Sequence, residues 1–237
     1  MALLGMLAAA PLVAGCQSTQ EKSAALAKEG TAAFEAKGLE VGKASRDVEV
    51  LARAVLSDEN GAAAVAVLKN TSKRTLVDVP VSIDVTGAGG KSLFENGDPG
   101  IEPSLAGLSV MKPGETIFWT NDQVFATDTP RSVAVRAGRD KGGAPARLPE
   151  IEVQSAKLEV DQTSGVVAVG KVVNKSGLLQ RKLVIFGVAR KGEEIVAAGR
   201  GQIERLNPGK DATYQIFFIG NPRGAKLELA APPTALE

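Results

Sequence analysis

The chain has 237 residues, of which 44% are hydrophobic, 4% aromatic and 23% charged, a composition typical of globular proteins. Lysine and arginine total 28 against 27 acidic residues, and a net charge of +1 gives no bulk attraction to nucleic acid. There is no histidine and only one cysteine, which excludes Ser-His-Asp and Cys-His catalysis and most zinc or copper sites, so we predict no catalytic residue, metal site or cofactor.

Residues 1–15 carry no charge and end in small residues directly before the single cysteine, Cys16. This apolar stretch is shorter than the ~20 residues needed to span a bilayer and is typical of an export signal. A buried N-terminal helix with an incidental cysteine is the alternative interpretation.

Leu12, Val13, Ala14 and Gly15 immediately precede Cys16. This run resembles a bacterial lipobox, in which an aliphatic residue and two small residues before the cysteine fit the lipoprotein signal peptidase. The resemblance implies cleavage after Gly15 and attachment of diacylglycerol to the Cys16 sulfur. Two acyl chains are enough for stable anchoring. We therefore expect an extracytoplasmic lipoprotein, on the cell membrane of a monoderm or the outer membrane of a diderm.

Residues 16–44 follow as a tether, and its residues 21–40 are rich in Ala, Lys and Glu, with large apolar residues widely spaced at Leu26, Phe34 and Leu39. So thin an apolar stripe predicts a marginal helix or a flexible stalk. A helix lying in the membrane surface is the alternative, but three large apolar side chains give it little to insert.

From about residue 45 onward, short β-branched runs alternate with Gly, Pro, Asn and Asp, a pattern typical of all-β domains. Residues 79–86 form the clearest strand, and their strict alternation places every second residue on a core face. These core residues are Val79, Val81, Ile83 and Val85. The glycines of residues 87–90 predict a hairpin turn into residues 91–94.

The sequence also contains an internal repeat, because residues 49–70 align with residues 153–174 at a constant offset of 104. The aligned pairs include Arg53 with Lys157, Gly61 with Gly165 and Asn70 with Asn174. Each copy contains a strand, a turn with glycine, a second strand and a closing asparagine. We therefore expect the two halves of this region to have the same fold.

Turns at regular spacing without a strong helix pattern predict two tandem immunoglobulin-like antiparallel β-sandwich domains. A glycine-rich charged linker separates them, so we expect two separate beads on a stalk. The predicted units are residues 1–15 (signal peptide), 16–44 (lipidated tether), 45–137 (module 1), 138–149 (linker), 150–232 (module 2) and 233–237 (C-terminal tail).

In the second module, residues 170–176 read Gly-Lys-Val-Val-Asn-Lys-Ser and residues 206–209 read Leu-Asn-Pro-Gly. This order is similar to that of the immunoglobulin-like FxLYD domains of bacterial envelope proteins, and the likeness in layout covers roughly residues 45–232. The first module keeps Asn-Thr-Ser at residues 70–72 but has Ala66 in place of the glycine. Neither module contains the Phe-x-Leu-Tyr-Asp string. Such domains carry no known catalytic residues.

Four further residues invite a functional interpretation. Asn70 and Asn174 fit the glycosylation pattern Asn-x-Ser, but this pair of residues also closes strands by hydrogen-bonding its own backbone, and we favour that role. Trp119 and Tyr214 are the only tryptophan and tyrosine, and we expect core aromatic residues with polar tips.

Six basic residues and no acidic one lie between Asp161 and Glu193. On strands and their turns they could converge on one face and contact anionic headgroups or wall polymers, although a solvated sheet face is the alternative. The candidates are Lys171, Lys175, Arg181, Lys182, Arg190 and Lys191.

These features predict a non-enzymatic, membrane-anchored surface lipoprotein that serves as an interaction or scaffold platform in the bacterial envelope. We expect the membrane and an envelope protein or anionic polymer as partners, and no nucleic acid. The alternative is a ligand- or solute-capturing accessory lipoprotein of a transport system. The absence of βαβ alternation counts against the two-lobed architecture of periplasmic binding proteins.

Overall fold

A computed structural model of the chain describes residues 38–161 and 165–237. Nearly all regular structure in these residues is β-strand in antiparallel sheets, which confirms the predicted all-β sandwich class. The predicted signal peptide, the lipidation residue Cys16 with Leu12, Val13, Ala14 and Gly15, and the tether up to residue 37 lie outside the described residues.

The first half of the structure runs from β1 to β7 and the second half from β8 to β15. The first half contains β1 (Val48–Asp58), β2 (Gly61–Asn70), β3 (Leu76–Thr86), a 3-10 turn (Ala88–Gly90), β4 (Ser92–Glu95), α1 (Pro103–Ala106), β5 (Gly107–Met111), β6 (Thr116–Asn121) and β7 (Ser132–Ala137). The second half contains β8 (Ile151–Val153), β9 (Lys157–Asp161), β10 (Gly165–Asn174), β11 (Gln180–Lys191), β12 (Glu194–Leu206), β13 (Asp211–Phe217), β14 (Ile219–Gly220) and β15 (Lys226–Ala230).

Each half consists of two antiparallel sheets with corresponding strand pairs. Sheet A has the order β1-β2-β6, and in sheet B the central β3 pairs with β4, β5 and β7. In sheet C the central β10 pairs with β8, β9 and β13, and sheet D has the order β14-β12-β11-β15. The pairing of β1 with β2 and of β2 with β6 matches that of β9 with β10 and of β10 with β13. The assignment of the halves as tandem immunoglobulin-like domains, with the boundaries given above, stays a prediction.

The strand register corrects the sequence alignment by one residue in the first strand of the repeat. In the first half Ala54 pairs with Val65, whereas in the second half the equivalent Val169 pairs with Lys157. Ala54, and not Arg53, is therefore the counterpart of Lys157. The reason is that the sequence between the two paired strands is one residue longer in the second half.

The alternation predicted for β3 is confirmed, since its inward side chains are almost completely buried. These side chains belong to Val79, Val81, Ile83 and Val85. Between the end of β4 and the start of β5, the side chain of the buried Asn96 makes the hydrogen bonds to the edge of β3 that a neighbouring strand would otherwise make. Its amide nitrogen donates to the carbonyl oxygens of Val81 and Leu105, and its side-chain oxygen accepts the Ile83 N–H, each at 2.8 Å. Asn96 thereby holds α1 against sheet B.

Asn70 and Asn174 close equivalent turns, as predicted, and both are fully buried. Each side-chain oxygen accepts hydrogen bonds from the N–H and the hydroxyl of the serine two residues later, Ser72 or Ser176. Each amide nitrogen donates to the carbonyl oxygen four residues further on. Buried amides with these partners are architectural residues.

The two halves pack face to face, so the expectation of two separate beads is wrong. One hydrophobic core contains residues from both halves. From sheet A it includes Val65, Val67 and Phe118, and from sheet D it includes Val184, Phe186, Val188 and Ala198. The alternate residues of β11, such as Leu183 and Ile185, belong to a second core inside the second half. The layers therefore follow the order sheet B, sheet A, sheet D, sheet C.

This stacking explains two unbroken apolar runs in the sequence. Residues 62–68 of β2 and residues 183–189 of β11 are buried at every position. A strand covered on both faces needs an apolar or small residue at every position, whereas a strand covered on one face alternates. The central layers A and D thus carry a different sequence pattern from β3 in the outer layer B.

The predicted linker begins as an extension of β7, because the N–H groups of Gly138 and Lys141 donate to carbonyl oxygens of β3. Between them, Asp140 accepts two hydrogen bonds from the Arg74 guanidinium, at 2.6 and 2.7 Å. Arg74 also forms an ion pair with Asp47. The Arg74 hydrogen bonds and charge hold the pKa of Asp140 below its ordinary value.

We predict that Arg74→Met lowers the free energy of unfolding at neutral pH and that this loss disappears in acid. Because the pKa of Asp140 is lower in the folded chain, its stabilising effect is complete above the unfolded value of about 4. The effect is lost as the pH falls through the folded value. Urea unfolding of parent and variant between neutral and strongly acidic pH checks this, with the exposed neighbour Lys73→Met as control. A difference that stays constant over this range contradicts the prediction.

Candidate functional site at the junction of the halves

The six basic residues predicted to contact an anionic surface are divided between two sheets, since Lys171 and Lys175 lie in or directly after β10 of sheet C and the other four lie in β11 of sheet D. Three of them contact carboxylates: Lys171 lies 3.0 Å from Asp211, Lys175 contacts Glu152, and Arg190 lies 3.2 Å from Glu228. These exposed or partly exposed pairs are ordinary features of a solvated sheet. The contact with Glu152 raises the pKa of Lys175.

The other three lie at opposite ends of β11. Arg181 and Lys182 are at its beginning and Lys191 is its last residue, which places Lys182 and Lys191 roughly 30 Å apart along the strand. Among the described residues, none of the three forms an ion pair with a carboxylate. The pair at the beginning of β11 borders a cavity that joins the two halves.

That cavity is a groove of about 700 Å³. One wall consists of α1 and the adjoining parts of β3 and β5, and the other consists of the start of β11 and the C-terminal segment. Half of its lining residues have apolar side chains, namely Leu39, Val79, Pro80, Pro103, Ala106, Leu108, Val184 and Pro232. A largely apolar lining and a volume within about 300–1,000 Å³ are usual for sites that bind small molecules.

Four charged residues line the groove: Asp78, Glu102, Arg181 and Lys182. Both acidic side chains lie near a cation, because Asp78 lies 3.6 Å from the Lys141 ammonium and Glu102 lies 3.8 Å from the Arg200 guanidinium. Arg181 and Lys182 have no such carboxylate partner among the described residues. The uncompensated charge of the groove is therefore positive.

Two lining residues hold an uncommon backbone conformation. Asp78 has a φ of 49° and Lys182 a φ of 47°, and in the described part of the chain they are the non-glycine residues with positive φ. They occupy equivalent positions near the starts of β3 and β11. A left-handed conformation in a residue with a side chain costs on the order of 1–2 kcal/mol, and such residues cluster at functional sites. Both of these residues line the same groove.

Behind the groove, Arg200 of β12 links the two halves. Its side chain is 8% exposed, and its Nε donates to Asp122 Oδ1 at 2.8 Å while its backbone N–H donates to Asp122 Oδ2 at 3.1 Å. Its Nη1 donates to Ser104 Oγ, and it lies 3.8 Å from Glu102. One buried guanidinium from the second half thus contacts two carboxylates of the first half.

Trp119 and Tyr214 are buried core residues with bonded polar tips, as predicted. The Trp119 Nε1–H donates to the Ser104 carbonyl oxygen at 2.7 Å, which places the indole directly behind α1. The Tyr214 hydroxyl donates to the Gln154 carbonyl oxygen at 2.9 Å, and burial raises the pKa of Tyr214. Gly170 lies opposite this ring, where a Cβ would collide with the hydroxyl.

Asp122 and Arg200 were not predicted from the sequence, because no motif marks either residue. A signal was nevertheless present in the unbroken apolar runs at residues 62–68 and 183–189. If both runs are buried on two faces, the sheets must stack on each other. A charged residue on a stacked face then requires a partner from the other half.

Comparison with known proteins adds no assignment to this site, since no protein-family model matches the chain and no curated protein matches it. The FxLYD resemblance rests on the motifs quoted above. Within residues 38–161 and 165–237, no group of three or more His, Cys, Asp or Glu side chains is placed to hold a metal ion. In the same ranges, no helix has the length and apolar character needed to cross a membrane.

We predict that Arg200→Met lowers the free energy of unfolding by about 3 kcal/mol, because it leaves two partly buried carboxylates without their cation. Adding Asp122→Asn should recover part of this loss by removing one uncompensated charge. Urea unfolding measures both effects, with Lys171→Met as the control that removes an exposed pair. An Arg200→Met effect no larger than that of the control contradicts the prediction.

Proposed function

We propose that the protein is a non-enzymatic lipoprotein of the bacterial envelope, anchored outside the cytoplasmic membrane through lipid on Cys16. The Leu-Val-Ala-Gly run directly before this single cysteine supports the anchor. Two acyl chains on the cysteine would give stable attachment without a membrane-spanning segment.

Within this proposal, the two halves act as an interaction platform for an envelope protein or an anionic polymer. The observation that carries it is the core shared by sheets A and D, because a platform must hold its contact surfaces in a fixed relation. The Arg200–Asp122 pair supports the same fixed relation. Sheets B and C form the first and last layers and leave their outer faces available for partners.

A second candidate function is capture of a small ligand as an accessory of a transport system. The groove between the halves favours this candidate, since it combines an apolar lining with the unpartnered cations Arg181 and Lys182. The two candidates share the anchor and differ in the surface that is used.

We predict that only chains with Cys16 acquire lipid. In bacteria fed an alkyne fatty acid, the parent chain and the control Gly15→Ala, which keeps a small residue before the cysteine, should incorporate the label. Cys16→Ala should incorporate none, because it lacks the sulfur that accepts the diacylglycerol. Labelling of Cys16→Ala at the level of the parent, or an unlabelled parent, would refute the anchor.

The same three chains test the platform by in-cell crosslinking with identification of partners by mass spectrometry. The platform requires membrane position, so envelope partners of the parent and of Gly15→Ala should be lost from Cys16→Ala. An identical set of partners from all three chains would contradict the platform.

A further inference from the structure

We infer that the groove between the halves binds an anionic amphiphile, a small molecule that joins an acyl chain to a phosphate or carboxylate group. The inference deepens the ligand-capture candidate by naming the class of ligand. It does not require the lipid on Cys16, so it can fail while the anchor stands, and the anchor can fail while it stands.

The apolar side chains of the groove favour the acyl chain of the ligand. Pro103 and Ala106 of the first half and Pro232 of the second are exposed or partly exposed in the groove, whereas Leu108 and Val184 in its lining are buried. None of these side chains offers a hydrogen bond, and an apolar chain that enters removes its own surface and that of Pro103, Ala106 and Pro232 from water at about 25 cal/mol per Å². A purely polar ligand would lose hydration along this wall without compensation.

The two cations at the rim of the groove favour an anionic group on the ligand. Arg181 and Lys182 are adjacent and exposed, and among the described residues neither pairs with a carboxylate. Asp78 and Glu102, the acidic residues of the lining, already form ion pairs with Lys141 and Arg200. A phosphate or carboxylate at the rim would therefore gain charge-assisted hydrogen bonds from the cations without displacing an existing pair.

The backbone beside the two cations is held in place before a ligand arrives. The fully buried Gln180, next to Arg181, accepts the N–H groups of Thr234 and Ala235 and donates to the Ala235 carbonyl oxygen. The Thr234 hydroxyl donates to the Arg181 carbonyl oxygen at 2.8 Å. A wall ordered in advance loses less entropy on binding.

The test is a titration of the full-length chain with octyl phosphate below its micelle concentration, followed by Trp119 fluorescence. Trp119 is the only tryptophan and is bonded to Ser104, which lines the groove. Octyl glucoside and inorganic phosphate serve as ligand controls. We expect octyl phosphate to bind at least about tenfold more tightly than either control, because it alone uses both the apolar lining and the cations.

Two variants locate the binding. Arg181→Gln with Lys182→Gln should weaken octyl phosphate binding about tenfold and leave octyl glucoside unaffected, whereas Ala106→Phe, which fills the groove, should weaken both ligands. Lys191→Gln, an exposed cation at the other end of β11, is the matched control and should change neither affinity. Circular dichroism spectra that match the parent show that a variant is folded.

Three results would overturn the inference. The first is equal affinity for octyl phosphate and octyl glucoside, which would show that the cations do not contribute to binding. The second is an equal loss in Lys191→Gln, which would make the attraction a general charge effect. The third is displacement of octyl phosphate by a synthetic peptide of residues 17–37 at equal concentration, which would assign the groove to the segment that leads to Leu39.

Discussion

Burial of sheets A and D on both faces is the constraint on which the rest of the structure depends. Each half has an inner core of its own, but Val65 and Phe118 of one half and Phe186 of the other lie on outer faces and are buried only because the halves meet. Exposing such side chains would cost about 1.5–3 kcal/mol each, which a marginally stable protein cannot sustain repeatedly. The ion pair of Arg200 and the groove both exist because this interface forms.

Equivalent positions of the two halves carry different side chains where they line the groove. Asp78 and Lys182 share a repeat position and the same left-handed backbone, yet they carry opposite charges. The acidic copy contacts Lys141, whereas the basic copy has no carboxylate partner in the part of the chain that is described. The same left-handed backbone position thus carries a paired acidic residue, Asp78, in the first half and the basic residue Lys182 in the second.

The features that depend on residues close together in the sequence were predicted correctly. The alternation of β3, the turns at Asn70 and Asn174, and the buried aromatic residues Trp119 and Tyr214 follow from spacing and side-chain chemistry, and all are present. The stacking of the halves was predicted wrongly, because a glycine-rich linker indicates where a chain bends and says nothing of whether the flanking units touch. The groove escaped prediction because its walls come from segments about 100 residues apart in the sequence.

The most direct test of the account is whether the two halves unfold together. Each half has one natural probe, since Trp119 is the only tryptophan and Tyr214 the only tyrosine, and both are buried. Urea unfolding followed by Trp119 fluorescence and by the second-derivative absorbance of Tyr214 measures the halves separately. A shared core predicts coincident transitions with one midpoint for both probes. Two separate midpoints, with one half folded while the other is unfolded, would contradict the account.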